Sequence, residues 1–339
     1  MHLNGLCKIK ELPIEIQIRL VAYLNFEDLS LVIVSLWESQ VLWAGIRATK
    51  GGLRVCVGLD QHLANCKPTS LPVKVVKAVL AYFGSDVVVR CCGPRLTLYS
   101  LEWVLNMLKT FEFNATKLKN LELLGYFDGP VDALPASLTN LTIRDWFNQP
   151  VDQLPASLTN LTLGDSFNQP VDNLPASLTH LTFGDSFNQP VDELPAALTH
   201  LTFDTCFDQK VDKLPGSLTH LKFGGRFDQK VDELPAGLTH LTFGTEFNQS
   251  VDALPAAIIQ LHLGSYFDRR VDALPGSLTH LEFGSFFNQP VDNLPASLLH
   301  LKFGHWFNQS VDALPTLLTQ VEDKFWFAQG ESVTGWHYF

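Results

Sequence analysis

A repeat of constant length limits how this chain can fold more than any other feature. Three patterns recur every 20 residues across ten copies with no insertion or deletion: Leu-Pro from 134–135 to 314–315, Val-Asp from 131–132 to 311–312, and Phe from Phe127 to Phe307. A constant short period indicates one structural unit stacked on itself, with each copy burying the apolar face of the next. We therefore expect a solenoid whose surface serves recognition before chemistry.

One copy, residues 167–186, reads FNQPVDNLPASLTHLTFGDS. Near its end, Leu181 and Phe183 alternate with His180 and Thr182, which predicts a short, half-buried strand. Glycine follows the strand in most copies and predicts a turn with positive φ. The recurrent proline lacks a backbone donor, so the return stretch is expected to be extended or a short 3₁₀ segment. Stacking such units predicts a right-handed coil with a parallel sheet along one face.

Composition divides the chain into four predicted regions. Residues 1–50 are leucine-rich and helix-like, residues 51–117 are irregular and are expected to connect and cap, residues 118–320 hold the repeats, and the aromatic residues 321–339 are expected to cap the far end. The predicted fold class is therefore α+β, with a small helical segment ahead of a parallel-β solenoid of about ten copies.

Charge and cysteine content exclude several classes of protein. A net charge of -11 argues against binding to nucleic acid. The six cysteines form no CxxC pair, the N-terminal residues lack a signal-peptide pattern, and no apolar run is long enough to cross a bilayer. These observations predict an intracellular protein, cytoplasmic or nuclear, with no membrane partner.

The repeat resembles the FNIP repeat family, which is named for a Phe-Asn-x-Pro core, present here as residues 167–170. The order of Phe, Asn, Val, Leu-Pro, Ser-Leu-Thr and Leu-x-Phe carries the resemblance over about 200 residues. FNIP repeats are grouped with leucine-rich repeats, and the signature L-x-x-L-x-L of that class is visible at Leu178, Leu181 and Phe183, with phenylalanine at its last position. The resemblance implies a leucine-rich-repeat-like solenoid.

The N-terminal segment resembles an F-box, through Leu-Pro-x-Glu-Ile at residues 12–16, Phe-Glu-Asp-Leu at residues 26–29 and Leu-Trp at residues 42–43. The resemblance implies a helical domain that binds a Skp-type linker protein in a cullin-type (SCF) ubiquitin ligase complex. The residues it implies for that contact are Leu12, Pro13, Ile16, Leu20, Leu24, Leu29, Val34 and Trp43.

A row of histidines occupies one position of the predicted strand, on its exposed side. These residues, with variable residues near them, form the predicted target-binding face: Arg144, His180, His200, Asp204, His220, Lys222, His240, His262, His280, Glu282, His300 and Lys302. Adjacent imidazoles are capable of capturing a metal ion. We favour the alternative of a polar ladder along the stack, because no fixed carboxylate or cysteine joins the row. Protonation near pH 6.5 is expected to loosen the array.

The aspartates of the Val-Asp pattern raise calcium binding as an alternative, but the glycine-rich calcium-binding repeat is missing, and we favour a structural role in turns. The chain has no phosphate-binding glycine loop, G-x-S-x-G or HExxH motif. We therefore expect no cofactor, metal or catalytic residue.

Three functions follow as hypotheses. The first is a non-enzymatic substrate-recognition adaptor of a ubiquitin ligase, and the second is a free-standing protein-protein interaction scaffold. Burial of Leu20, Leu24 and Leu29 against residues 51–117 would favour the scaffold over the adaptor. The third, an enzyme on a β-coil, would require a cleft where His and Asp from different rows converge.

Overall fold

The computed structural model describes residues 29–37, 40–49, 52–59, 86–92, 118–125, 127–132 and 134–322. Within these ranges the regular structure is entirely β-strand. The chain forms two compact units, Met1–Asp165 and Ser166–Phe339, and each is described separately.

The first unit contains seven described strands. They are β1 Leu29–Trp37, β2 Gln40–Thr49, β3 Gly52–Leu59, β4 Asp86–Cys92, β5 Asn120–Gly125, β6 Asn140–Ile143 and β7 Asn160–Leu163. Strands β1, β2 and β3 are antiparallel neighbours, and from β3 to β7 each strand pairs in parallel with the next. The predicted connecting region, 51–117, therefore supplies strands β3 and β4 to this sheet.

The predicted helices are wrong for residues 29–37 and 40–49, which form an antiparallel pair of strands. Val34 pairs with Trp43 in its register, and Leu29 pairs with Ala48. The physical reason lies in the sequence LSLVIVSLW of β1, whose β-branched Val and Ile favour the extended conformation over the helix. The other residues expected to bind a linker protein, Leu12, Pro13, Ile16, Leu20 and Leu24, lie outside the described residues, as does most of the aromatic cap.

The second unit contains eight described strands, each belonging to one copy of the repeat. They are β8 His180–Phe183, β9 His200–Thr202, β10 His220–Lys222, β11 His240–Thr242, β12 Gln260–His262, β13 His280–Glu282, β14 His300–Lys302 and β15 Gln320–Glu322. Each pairs in parallel with the next in a register of 20 residues, so that His200 lies between His180 and His220. The predicted parallel-β solenoid is confirmed.

Two columns of phenylalanine fill the interior of the second unit. Phe207, Phe227 and Phe247 belong to one column, in which successive rings stack with centroids 6.1 Å apart. Phe223 belongs to the other, and its ring centroid lies 3.7 Å from that of Phe227 in the same coil. The leucines of the L-x-x-L pattern and the valines of Val-Asp are buried beside them, except Val311 and the leucines of the last coil. Each coil thus buries nearly the same set of side chains against its neighbour, with Ile258 and Leu263 as apolar replacements, which favours a constant period.

Glycine follows most strands of the second unit, although Asp204 follows β9, and the close approach of neighbouring coils requires glycine at positions such as Gly244 and Gly264. A Cβ on Gly264 would lie 1.6 Å from the carbonyl oxygen of Gly244, and one on Gly244 would lie 1.7 Å from that of Gly224. No positive φ is found at these glycines, so the predicted positive-φ turn is wrong. In the first unit Arg144 takes the glycine position, and the following residue, Asp145, adopts a φ of 63°.

The return side of each coil is held by bonds to the neighbouring coil. An Asn or Asp follows Phe187 and its equivalents in the other coils. Its side-chain oxygen accepts the backbone N–H of the equivalent residue one coil later, as when Asn188 N–H donates to Asn168 Oδ1 at 2.9 Å. This row therefore joins one coil to the next. After the recurrent proline, a turn closes through a bond such as Leu178 N–H to the carbonyl of Pro175, 3.1 Å long.

Candidate functional site: the exposed face of the sheet

Two rows of side chains cover the exposed face of the second unit's sheet, because strand residues alternate between the interior and solvent. The first position of each strand forms the histidine row: His180, His200, His220, His240, Gln260, His280, His300 and Gln320. Two residues later comes the variable row: Thr182, Thr202, Lys222, Thr242, His262, Glu282 and Lys302. Between them, Leu221 and its equivalents are buried.

The imidazoles of the histidine row stack face to face along the solenoid. Ring centroids are 4.2 Å apart between His180 and His200 and between His200 and His220, and 4.1 Å apart between His220 and His240. Gln260 interrupts the row, which resumes with His280 and His300 at 4.3 Å. The in-register pairing of parallel strands produces this stacking directly, since each imidazole sits one strand spacing from the next.

A threonine hydroxyl fixes the orientation of most of these rings. Nδ1 of His220 lies 2.9 Å from Oγ1 of Thr219, and the same contact recurs for His180, His200, His240 and His280. The hydroxyl of Thr219 also lies 3.2 Å from the carbonyl oxygen of Thr199, so it links the imidazole to the preceding coil.

Burial and crowding lower the pKa values of several histidines. For His200 and His220, desolvation by burial is the larger cause, and the charges of neighbouring histidines add to it. His280 has a lowered pKa for the same reasons, with His300 and His262 as its first charged neighbours. These three histidines therefore favour the neutral form.

The stacked geometry bears on the metal hypothesis. Neighbouring rings are within 10–18° of parallel, so their Nε2 lone pairs point side by side and do not converge on one point. A zinc ion needs nitrogen ligands at about 2.0–2.1 Å that surround it. Within the part of the chain that the structure describes, no group of three or more His, Cys, Asp or Glu is placed to hold a metal ion.

The variable row brings three of its predicted contact residues together. Glu282 accepts from His262 Nδ1 at 2.8 Å through one oxygen and from the Lys302 ammonium through the other. Partial burial alone would raise the pKa of Glu282, but the hydrogen bond and charge of Lys302, with His262, outweigh it and lower the pKa. The carboxylate is therefore ionised and held between two donors.

The other predicted contact residues are spread over the molecule. Lys222 is exposed between Thr202 and Thr242, Asp204 is exposed at the end of its strand, and Arg144 is exposed in the first unit. Beside the His262–Glu282–Lys302 cluster the face forms an open concavity of about 450 Å³. Its lining includes His280, His300, Gln260 and Gln320.

The sequence analysis missed a set of exposed aromatic side chains. Trp146 is 61% exposed in the first unit, and Tyr266, Phe286 and Trp306 are 51%, 46% and 60% exposed in the second. All occupy the position just before the phenylalanine that recurs from Phe127 to Phe307. A signal was present, because Ser186, Arg226 and Glu246 hold the same position in other copies, and such polar residues mark an exposed site.

Comparison with known proteins identifies the repeats. The family model described as FNIP Repeat matches residues 127–166, 147–186, 167–206, 187–226 and 247–286, so the chain contains FNIP repeats. No curated protein matches the chain significantly. Among solved structures, YopM from Yersinia enterocolitica WA-314 matches with a TM-score of 0.32 and 19% sequence identity. The match covers 62% of this chain and 65% of the YopM chain, which is just under two thirds of YopM.

The part of the chain that the structure describes contains no helix long and apolar enough to cross a membrane. The predicted compartment remains a prediction.

Proposed function

We propose that this chain is a non-enzymatic protein-protein interaction scaffold whose exposed sheet face in the second unit binds a partner protein. One observation carries the proposal: the interior of the solenoid repeats nearly the same apolar residues, with Ile258 and Leu263 as exceptions, whereas the variable row changes from neutral to charged residues between coils. At the variable row Thr202, Lys222 and Thr242 succeed one another, while the Leu that precedes each of them is buried in every case. Repeat proteins use such extended surfaces for binding.

The chemistry of the face fits a polar partner surface. The stacked imidazoles of the histidine row offer polar ring nitrogens, and Lys222, Glu282 and Lys302 add charges on the variable row. Since the backbone beneath is locked by parallel pairing, these groups are held in place before a partner arrives. A preorganised surface loses less conformational entropy on binding.

The test is affinity capture with two matched variants of the full chain. The front variant carries His262→Thr, Glu282→Thr and Lys302→Thr, because threonine is native to the same position in β8, β9 and β11. The control carries Glu193→Ala, Lys213→Ala and Glu233→Ala, which are exposed positions on the return side where Ala253 and Ala273 are native. We expect proteins captured by the wild type to be lost from the front variant and retained by the control, by quantitative mass spectrometry.

Equal capture by the front variant and the wild type would contradict the proposal. Loss from both variants would contradict it as well, because the return side would then contribute as much as the sheet face. Unchanged melting temperatures of both variants are the check that the fold is retained.

A second candidate is the adaptor of a cullin-type ubiquitin ligase. The Leu12-Pro13-x-Glu15 pattern and the apolar residues that follow it favour a Skp-type linker as partner. The strands at residues 29–49 count against a complete helical F-box. The test is a pull-down of the full chain with a purified Skp-type linker. Binding that Leu20→Asp and Leu24→Asp abolish would support the adaptor, and failure of the wild type to bind would contradict it.

A further inference from the structure

The exposed aromatic residues of the second unit lie in successive coils and form one stripe. Ring centroids are 5.1 Å apart between Tyr266 and Phe286 and 6.4 Å apart between Phe286 and Trp306, and His305 packs edge-on against Trp306 at 5.4 Å. Each of the three rings is about half exposed. Contiguous exposed apolar surface of this kind is characteristic of interaction sites.

The stripe is held rigidly by the backbone. The N–H groups of Tyr266, Phe286 and Trp306 each donate to a carbonyl of the preceding coil, those of Thr245, Ser265 and Ser285, at 2.9 Å. The side chains therefore start from anchored positions, and aromatic rings have few torsions to lose on binding. A groove of about 630 Å³ is lined by Gly244, Gly264, Gly284 and Gly304, by the variable-row residues His262, Glu282 and Lys302, and by Ser265 and Ser285, which directly precede Tyr266 and Phe286.

Acidic residues continue the same edge toward earlier coils. Glu246 occupies the stripe position one coil before Tyr266, and Asp204 and Asp185 are exposed beside that position further back. Arg226 adds a basic residue to this segment, which therefore carries three carboxylates and one guanidinium among these four residues. Since Tyr266 stacks on Phe286 through one face, its other face is turned toward the coil that bears Glu246. One edge thus presents an acidic half and an aromatic half.

We propose that this edge, from Asp185 to Trp306, is a docking site for a partner segment that carries arginine or lysine followed by large apolar side chains. The basic groups pair with Glu246 and Asp204, and a guanidinium over Tyr266 gains a cation–π contact. The apolar groups cover Phe286 and Trp306. The edge from Asp204 to Trp306 spans five coil spacings of ~4.8 Å, or roughly 24 Å, which about seven extended residues cover.

Selection from a library of displayed random peptides of about 12 residues, long enough to span the edge, tests this site on the full chain. Counter-selection uses an edge variant with Tyr266→Ser, Phe286→Ser and Trp306→Ser, because serine is native to this position at Ser166 and Ser186. We expect enriched peptides that combine basic and aromatic or leucine residues. Their affinity should fall at least ~10-fold in the edge variant, as expected for the loss of aromatic anchors.

A charge variant with Asp204→Asn and Glu246→Gln provides a second measurement. We expect a weaker loss of peptide affinity, about 3-fold, which added salt reduces because exposed charges are screened. The return-side variant, with Glu193→Ala, Lys213→Ala and Glu233→Ala, should bind the peptides as the wild type does.

Several outcomes would overturn the proposal. They are an absence of enrichment above the counter-selection, enrichment of acidic peptides, and peptides that bind the edge variant equally well. A wild-type dimer that becomes monomeric in the edge variant would assign the stripe to a second copy of the chain. Enrichment only on a chain that ends at Glu322 would assign it to residues 323–339. The aromatic stripe lies outside the histidine and variable rows. Refuting this docking site would therefore leave the proposed function of the sheet face unchanged.

Discussion

The interior and the exposed surface of the second unit differ in how much their residues vary from copy to copy, although buried and exposed positions alternate along the same chain. Phe187, Phe207 and Phe227 are fully buried, and phenylalanine holds this position in every copy. The residues just before them are Ser186, Cys206 and Arg226, and later copies place aromatic rings there. A stacked coil must match the shape of its neighbours, so its interior is uniform. Its exterior meets no such constraint and is free to encode recognition.

Truncating one buried and one exposed phenylalanine tests this comparison with the largest expected effect. Phe227 is enclosed by Phe223, at 3.7 Å between ring centroids, and by Phe207 and Phe247. We expect Phe227→Ala to lower the free energy of unfolding by about 3–5 kcal/mol, through lost burial and the cavity left behind. Phe286→Ala, at a half-exposed ring, should change it by about 0.5 kcal/mol or less. Urea unfolding followed by circular dichroism measures both, and equal effects would contradict the comparison.

Glycines test the same contrast at the backbone. A Cβ on Gly264 meets the preceding coil at 1.6 Å, whereas one on Gly216 meets nothing within 4 Å. We expect Gly264→Ala to destabilise the protein by about 1–3 kcal/mol through overpacking. Gly216→Ala should stabilise it by about 0.4–1 kcal/mol, since alanine restricts the unfolded chain and is native to this position in other coils. Thermal unfolding decides, and a neutral Gly264→Ala would show that the coils separate easily.

The histidine row predicts a pH dependence of stability. The folded-state pKa values of His200, His220 and His280 lie below the ordinary 6.5, mainly because of burial. The unfolded chain therefore binds more protons below pH 6.5, and stability falls as the pH decreases from 6.5 toward the folded-state values. We expect a lower melting temperature at pH 5 than at pH 8.

The matched control replaces these three histidines by asparagine, which is native to the row's position at Asn140 and Asn160 in the first unit. The decrease between pH 8 and pH 5 should be smaller in this variant. A wild-type melting temperature that is no lower at pH 5 than at pH 8 would refute the prediction.

The smallest expected effect concerns the ion pair on the exposed face. Lys302 and Glu282 are both partly exposed, so their pairing should contribute no more than about 1 kcal/mol. Lys302→Thr should raise the pKa of Glu282, because the hydrogen bond and charge of the ammonium are lost. Carboxyl titration by nuclear magnetic resonance measures this shift. An unchanged pKa would mean that His262 alone governs the carboxylate.

Much of this architecture could be predicted from the sequence. The alternation of Leu181 and Phe183 with His180 and Thr182 fixed the strand, its buried side and the exposed histidine row, because the strand period is two residues. The constant interval fixed the in-register stacking, since an insertion would break it.

Other features depend on geometry that no single copy contains. Gly264 is required by the position of Gly244 in the neighbouring coil, which a search for positive φ does not detect. Strands β1 and β2 differ from the helices that the F-box resemblance implies, and the β-branched residues Val32, Ile33 and Val34 favour the extended conformation observed.

Site-specific photo-crosslinking tests the central claim, that the sheet face of the second unit binds a partner, most directly. A photoreactive residue at Thr242, on the variable row, is compared with one at Ala273, exposed on the return side. Both are placed in the full chain and irradiated in extract. We predict discrete cross-linked partner proteins from position 242 and none of these from position 273. The same products from both positions, or products from position 273 alone, would contradict the account.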